Sequence, residues 1–304
     1  MAGHICEHLD GVSVMKSTGP GRRCRWWWLL TAVAAVGVAA VFGANVLSAR
    51  SDTSARGRCD VGATKGTGVS SPVAPPSAGR GLQVVEKGFT QLETPVGTVS
   101  LGAILENRSE LVAYHTRIRF RVLDRQHQSA VPANSGELLD QEIPVILPGQ
   151  RIGVGAWTYL RETPSAQPVA VMGFDIDLSA SQWWPQDNDV HTFRSISTRH
   201  LGTQRSSVEQ VTGTVRYSVD SAFCGALTTR GVATVFRNSD GALVGGSFAR
   251  DNSKNRCLAG KYTESMDAFR SIPPRIDDSR TESYPYCDPA PTGGNPTTTD
   301  GPVN

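Results

Sequence analysis

The chain has 304 residues, and its 30 lysines and arginines nearly balance its 28 aspartates and glutamates, for a formal net charge of +2. This near-neutral charge gives no support to nucleic-acid binding, which normally requires a strongly basic surface. The composition is uneven along the chain, and its shifts predict a division into tail, anchor, stalk and folded region.

Residues 1–25 are polar and without periodicity, which predicts a disordered cytoplasmic tail. The tail contains His4, Cys6 and His8, three residue types that bind soft metals. Because no fourth ligand accompanies them, we interpret them as a chance arrangement and predict no metal site. Met15 is an alternative start of the chain.

Residues 26–48 form an apolar run without a charged side chain, long enough to cross a bilayer as one helix. The basic cluster Arg22, Arg23 and Arg25 precedes it, which predicts a cytoplasmic N-terminus. A cleaved signal peptide is one alternative, and a twin-arginine export signal is another. We expect an uncleaved single-pass anchor with all later residues outside the cytoplasm.

Two segments beyond the anchor are too poor in apolar residues to fold. Residues 49–82 are rich in Ser, Gly, Ala and Pro, which predicts a disordered stalk, and residues 289–304 predict a disordered C-terminal tail. The folded part of the protein is therefore expected between them.

In that folded part, apolar residues alternate with polar ones, as in antiparallel strands with one buried face. Between Arg117 and Val122 the alternation is regular, because Ile118, Phe120 and Val122 share one face and arginines occupy the other. Short strands separated by turn residues predict an all-β fold of antiparallel sandwiches.

An internal repeat predicts two tandem domains, at residues 83–182 and 206–288, joined by a linker at 183–205. Four landmarks of the first copy recur in the second copy in the same order: Gly97-Thr98-Val99 and Gly213-Thr214-Val215; residues 120–126 and 235–241; residues 147–150 and 258–261; residues 174–177 and 284–287.

The first copy is similar to small bacterial domains of the FxLyD and water-stress (late-embryogenesis type 2) kind. The resemblance rests on the strand and turn at 99–109, the strand end Val122-Leu123-Asp124, the turn Pro148-Gly149-Gln150, and Phe174-Asp175-Ile176-Asp177. It implies tandem immunoglobulin-like sandwiches that bind or scaffold without a general catalytic activity. The second copy departs from the pattern, since Ala259-Gly260 replaces the expected Pro-Gly.

Four cysteines lie beyond the anchor, an even number that suits an oxidising compartment: Cys59, Cys224, Cys257 and Cys287. We favour a pair of Cys224 with Cys257, which leaves Cys59 for Cys287. A pair of Cys257 with Cys287 stays open, as do bridges to another molecule. Free thiols in a cytoplasmic domain would require the opposite topology.

No catalytic motif is present, so we predict a non-enzyme without cofactor or metal. Cys224 as a nucleophile is less favoured than Cys224 in a disulfide. The acidic sequence Asp187-Asn188-Asp189 lacks the glycine and the distal glutamate of a calcium loop, so we interpret it as a solvated loop.

Two sets of residues are candidates for binding. Trp183 and Trp184 have flat indoles that stack on sugars or anchor a partner, although packing between the two domains is the alternative. The stripe of Arg117, Arg119 and Arg121 suits an anionic polymer or lipid headgroups, with an ordinary solvated sheet face as the alternative.

Together these features predict a membrane-anchored, extracytoplasmic binding or scaffolding protein of a bacterial cell envelope. Its expected partner is an envelope protein or polymer, and its oligomeric state is left open. The alternative function is a secreted or wall-associated carbohydrate-binding module that uses Trp183 and Trp184.

Overall fold

The computed structural model describes residues 68–77, 79–93, 97–250 and 255–289, which all belong to one compact unit. The predicted cytoplasmic tail, the membrane span at 26–48, the first part of the stalk and residues 290–304 lie outside the described residues. In the portion that is described, no helix is long and apolar enough to cross a membrane.

The described residues form an all-β structure, as predicted. Its twelve strands are β1 (Leu82–Leu92), β2 (Thr98–Asn107), β3 (Val112–Leu123), β4 (Asp140–Ile146), β5 (Arg151–Tyr159), β6 (Gly173–Trp184), β7 (Ile196–Arg205), β8 (Gly213–Ser221), β9 (Thr228–Arg237), β10 (Leu243–Arg250), β11 (Gly260–Ala268) and β12 (Glu282–Asp288). One four-residue helix, α1 (Gly136–Leu139), and the 3-10 turns Ala133–Ser135 and Asp278–Arg280 complete the described elements.

The strands form four antiparallel sheets of three strands each. We number them in stacking order as sheet I (β4-β3-β6), sheet II (β1-β2-β5), sheet III (β10-β9-β12) and sheet IV (β11-β8-β7). Strands β1 to β6 and strands β7 to β12 therefore follow the same connectivity, which agrees with the internal repeat in the sequence.

Sheets I and II enclose the larger hydrophobic core, which contains Phe120 from β3, Leu101 from β2 and Val154 from β5. The alternation predicted for β3 is confirmed, because Ile118, Phe120 and Val122 are at most 2 % exposed and the arginines between them face solvent. Period two follows from one buried and one solvated face of sheet I.

Sheets III and IV enclose a second core, built around Tyr217 and Val219 of β8, Phe236 of β9 and Met266 of β11. Each half of the chain thus has its own apolar layer between two sheets. The arrangement is consistent with β-sandwiches, in which side chains of two inner faces pack together.

Sheets II and III pack against each other through glycines. A Cβ atom at Gly102 of β2 would lie 2.2 Å from the carbonyl oxygen of Gly245, and one at Gly155 of β5 would lie 2.5 Å from the backbone nitrogen of Ser247. Glycine inside a strand permits this close approach of another backbone. The Ser100 hydroxyl both donates to the Gly246 carbonyl oxygen and accepts from the Gly246 N–H, each at 3.0 Å.

The predicted inter-domain linker and part of the predicted disordered stalk take part in the fold. Strand β7 lies within the predicted linker and pairs along its length with β8. In the predicted stalk, Val73 donates its N–H to the Trp183 carbonyl oxygen at 2.8 Å, so this part of the chain runs beside β6. Both segments are held by main-chain hydrogen bonds, which do not depend on an apolar sequence.

A disulfide joins Cys257 to Cys287, with 5.7 Å between their Cα atoms. Cys224 is also disulfide-bonded. The favoured pairs of Cys224 with Cys257 and of Cys59 with Cys287 are therefore both wrong, and the alternative of Cys257 with Cys287 is the observed one. The fold explains this disulfide. The main chain of Cys257 forms an isolated β-bridge with Leu227 just before β9, and Cys287 of β12 lies opposite Thr229 of β9 in the ladder, so both cysteines lie beside β9.

Candidate functional site

The two tryptophans at the end of β6 are buried, with 8 % of Trp183 and 4 % of Trp184 exposed. Trp183 belongs to the core between sheets I and II, and Trp184 packs with Tyr114 and Phe193. The Trp184 indole N–H donates to the Gln182 side chain at 2.9 Å. Stacking on a sugar needs a free indole face, and neither residue presents one.

The three arginines of β3 lie on the solvated face of sheet I, each beside an acidic side chain. The nitrogen–oxygen distances are 3.8 Å from Arg117 to Glu142, 2.7 Å from Arg119 to Asp140, and 3.1 Å from Arg121 to Asp177. Exposed pairs of this kind contribute about 0–1 kcal/mol each. They balance the positive charge of the stripe locally, which weakens its attraction for an anionic polymer.

A cluster of ionisable side chains joins the two halves of the chain, and we call it the Asp288 cluster: Tyr114, His115, Glu142, Arg230 and Asp288. The Tyr114 hydroxyl donates to one Asp288 oxygen at 3.0 Å, and Arg230 donates two hydrogen bonds to the other, at 3.0 and 2.8 Å. His115 Nδ1 lies 2.6 Å from Glu142 Oε1, and His115 Nε2 lies 3.6 Å from Asp288 Oδ1.

His115 holds a left-handed backbone conformation, with φ of 55°, at the centre of sheet I. The ladders of β3 with β4 and β6 omit this residue but keep the same register on either side of it. Such a conformation costs a non-glycine residue about 1–3 kcal/mol. The contacts of the imidazole with Glu142 and Asp288 offset part of that cost.

The polar and charged groups of the Asp288 cluster form hydrogen bonds and ion pairs with one another. The hydrogen bond to His115 lowers the pKa of Glu142 despite partial burial, so Glu142 is a weak base. Burial, together with the charge of Asp288, raises the pKa of Tyr114 well above its usual range, which keeps the phenol protonated. No group of three or more potential metal ligands occurs in the described ranges. The geometry therefore suits a structural link between β3 and β12 better than it suits acid–base chemistry.

A cleft with a volume of about 500 Å³ lies where four sheet edges meet. Its walls are formed by β4, β5, β7 and β12, and each of these is an edge strand of its sheet. All four sheets thus end on the same side of the stack. Pockets of about 300–1,000 Å³ are typical of ligand sites.

One wall of the cleft is apolar, with Ile143 and Val145 of β4, Ile152 of β5 and Phe223 contributing to it. Its charged residues are mostly paired: Arg151 binds Glu86 at 2.6 Å, and Glu282 accepts from Arg237 at 2.9 Å. Two other polar groups in the cleft have a nitrogen atom without a hydrogen-bond partner.

The first of these groups is Arg194, which lines the cleft just before β7 and makes no ion pair or hydrogen bond with any residue that the structure describes. The second is His200, whose side chain is 5 % exposed. Its Nε2 atom lies 3.3 Å from Asp278, whereas its Nδ1 atom is buried without a hydrogen-bond partner. Buried polar atoms normally have a partner, and the described residues supply none to this Nδ1 atom beside the cleft.

None of the binding residues predicted from the sequence lies in this cleft. Its lining comes from separate stretches of the chain, at residues 143–152, 194–200 and 281–287 with Phe223, so no single local motif marks it. One signal was available, since Pro144 and Pro285 sit inside β4 and β12. Proline within a strand indicates a sheet edge, because it cannot donate to the ladder.

Among the described residues, the cleft is thus a more accessible candidate site than the buried tryptophans or the charge-paired arginine stripe. Known proteins add no assignment to it, since no family model matches the chain and a search of curated proteins finds no match.

Proposed function

We propose that this chain is a membrane-anchored, extracytoplasmic binding or scaffolding protein of a bacterial cell envelope, without catalytic activity. In this proposal, one transmembrane helix at 26–48 carries two tandem immunoglobulin-like sandwiches, and the N-terminus stays in the cytoplasm. The observation that carries the proposal is the disulfide bonding of Cys257 to Cys287, together with the disulfide at Cys224.

Disulfides persist in oxidising compartments and are rare in the cytoplasm. Three disulfide-bonded cysteines in a β-rich region therefore favour a location outside the cytoplasm. The basic cluster before the apolar run favours the same orientation independently.

The binding role is supported by the cleft between the four sheet edges and by the way the acid–base residues are engaged with one another. An envelope protein or polymer is the partner that suits an anchored position at the membrane surface. The carbohydrate-binding alternative loses its support, because Trp183 and Trp184 are both buried.

The proposal is tested by labelling intact cells with a membrane-impermeant maleimide before and after reduction. We expect Cys224, Cys257 and Cys287 to react from outside only after a reductant is added. Cys6, in the predicted cytoplasmic tail, is an internal control that should react only after lysis. Reaction of the three β-domain cysteines after lysis without a reductant would overturn both the topology and the extracytoplasmic function.

A further inference from the structure

The four strand edges around the cleft differ in how far they are blocked. Strand β4 carries Pro144 and strand β12 carries Pro285, and neither proline has an N–H to offer. Natural proteins use proline and side-chain contacts on edge strands to prevent pairing with other chains. The prolines therefore weaken β4 and β12 as templates for a further strand.

Side chains occupy main-chain groups of the edges as well. The Gly153 carbonyl oxygen of β5 accepts from the Tyr286 hydroxyl at 3.0 Å, and the Gly155 carbonyl oxygen accepts from the Gln141 amide. On β12, the Ser283 carbonyl oxygen accepts from the Thr198 hydroxyl. Strands β5 and β12 are thereby closed to an added strand over part of their length.

Strand β7 is blocked less. It is ten residues long and contains no proline, and in the described portion of the chain its main chain makes no hydrogen bond to another sheet. A bulge between His200 and Gly202 and a hydrogen bond from the Ser218 hydroxyl to the Arg199 carbonyl oxygen affect only its middle. Its first half, from Ile196 to His200, lines the cleft. A long edge with free N–H and C=O groups is the feature that β-strand addition requires.

The charged side chains of this edge are basic. Strand β7 carries Arg199 and Arg205 and no acidic residue, and Arg194 lies shortly before it. Pairing β7 with β7 of a second copy would bring like charges together, which is unfavourable across neighbouring strands. An acidic strand is the complementary occupant.

We propose that the free edge of β7 binds an extended, acidic polypeptide segment of a partner protein by strand addition in the cleft. Main-chain hydrogen bonds to β7 hold the segment, a carboxylate of the segment pairs with Arg194, and the segment supplies the missing partner of His200 Nδ1. The apolar residues of β4 and β5 receive side chains of the segment that point away from solvent. This inference deepens the binding function proposed above and rests on it.

The test uses the purified full-length chain in detergent and a display library of random heptapeptides. We expect the selected peptides to combine Asp or Glu with β-branched residues. Their affinity should fall by about tenfold in Arg194→Gln, since one charge-assisted contact is lost. Arg216→Gln is the matched control, because Arg216 is an exposed arginine on the neighbouring strand β8, away from the cleft. It should leave binding unchanged.

Amide hydrogen exchange locates the bound peptide. With a selected peptide present, the amides of 196–205 should exchange more slowly, and sedimentation should show no change in oligomeric state. The proposal is overturned if no peptide is selected, or if Arg194→Gln and Arg216→Gln bind equally well. Slow exchange, in the free protein, of the β7 amides that do not bond to β8 would also overturn it. Dependence on protein concentration would identify a second copy on the edge, and independence would identify another segment of this chain.

Peptide binding by purified protein does not depend on the orientation of the chain in a membrane. The labelling experiment and the peptide experiment can therefore fail separately.

Discussion

His191 shows how a single buried side chain makes the protein sensitive to acid. Its ring packs against Tyr114, Trp184 and Phe193, with centroid distances of 4.6, 4.8 and 5.4 Å, and its Nδ1 atom has no hydrogen-bond partner. Burial lowers the pKa of His191 below its ordinary value of 6.5, although the charge of Asp288 opposes this. The folded protein thus resists protonation of a residue that the unfolded chain protonates readily.

The lowered pKa of His191 gives a prediction for the variant His191→Phe. Because the unfolded state binds more protons than the folded state below about pH 6.5, wild-type stability falls as the pH drops through that region. The phenyl ring preserves the aromatic contacts and cannot be protonated. The free energy of unfolding should therefore be unchanged or higher at pH 7.5, and should decrease less between pH 7.5 and 5.5, as measured by urea denaturation.

His127→Asn is the control for this prediction, because His127 is exposed and its turn conformation, with φ of 58°, suits asparagine. It should retain the wild-type pH dependence. A His191→Phe variant with the same acid sensitivity as the wild type would show that burial of His191 is not its cause.

Single residues also show which sequence patterns are informative. The alternation in β3 predicted Ile118, Phe120 and Val122 inside and the arginines outside, because one face of that strand meets water. The same reasoning could not place Trp183 and Trp184, since aromatic side chains suit a core and a binding surface equally well. Their burial depends on packing with residues such as Tyr114, which is about 70 positions away in the chain.

Among the elements, the disulfide is the main covalent support of the second half. It closes a loop between positions 30 apart, from the segment before β11 to the edge strand β12. We predict that Cys257→Ser lowers the free energy of unfolding by about 3–4 kcal/mol, as the chain-entropy model gives for a loop of this length.

Denaturant unfolding measures this loss, and Cys287→Ser should lose as much, because either change breaks the same bond. Cys6→Ser, in the predicted cytoplasmic tail, should have no effect. A loss below about 1 kcal/mol in both variants would show that packing alone holds β12 in place.

Strand β7 and the disulfide pairing were not predicted from the sequence, and both depend on contacts that no local sequence pattern reports. Strand β7 has only Ile196 and Leu201 as large apolar residues, because it is the edge of an outer sheet and buries little surface. Its pairing with β8 depends on the main chain, which no side-chain pattern reports. Cysteine spacing likewise gives loop lengths only, so the choice between pairings required the position of Cys257 beside β9.

In the molecule as a whole, the two repeats are joined where sheets II and III pack closely against each other at their glycines. At Gly102, the nearest atoms to an added Cβ are the Gly245 carbonyl oxygen at 2.2 Å and a Leu243 methyl at 2.6 Å. Because backbone cannot move aside as a flexible side chain can, Gly102→Ala should force the two sheets apart.

We predict that Gly102→Ala lowers the free energy of unfolding by about 1–3 kcal/mol, the usual cost of overpacking. The same change at Gly136, in α1, meets no atom within 4 Å and a helical backbone with φ of −55°. Gly136→Ala should therefore be neutral or stabilising by about 0.4–1 kcal/mol. Equal stability of the two variants in urea denaturation would contradict close contact between the sheets.

The sequence indicated two sandwiches but not how they meet. Repeats reveal similar halves, and alternation reveals which faces are apolar. Yet sheets II and III meet through Gly102, Gly155 and Gly246, which carry no hydrophobic signal. Strand-interior glycines were the available clue, since they mark a place where another backbone approaches.

This contact also gives the stack a direction. Sheet II corresponds by connectivity to sheet IV, and sheet III corresponds to sheet I, so the two halves meet head to tail through unlike faces. A head-to-tail contact does not close on itself, and it would allow further copies to add at either end. The outer faces oppose such growth: Arg119 with Asp140 covers one end, and Arg216 on β8 lies at the other.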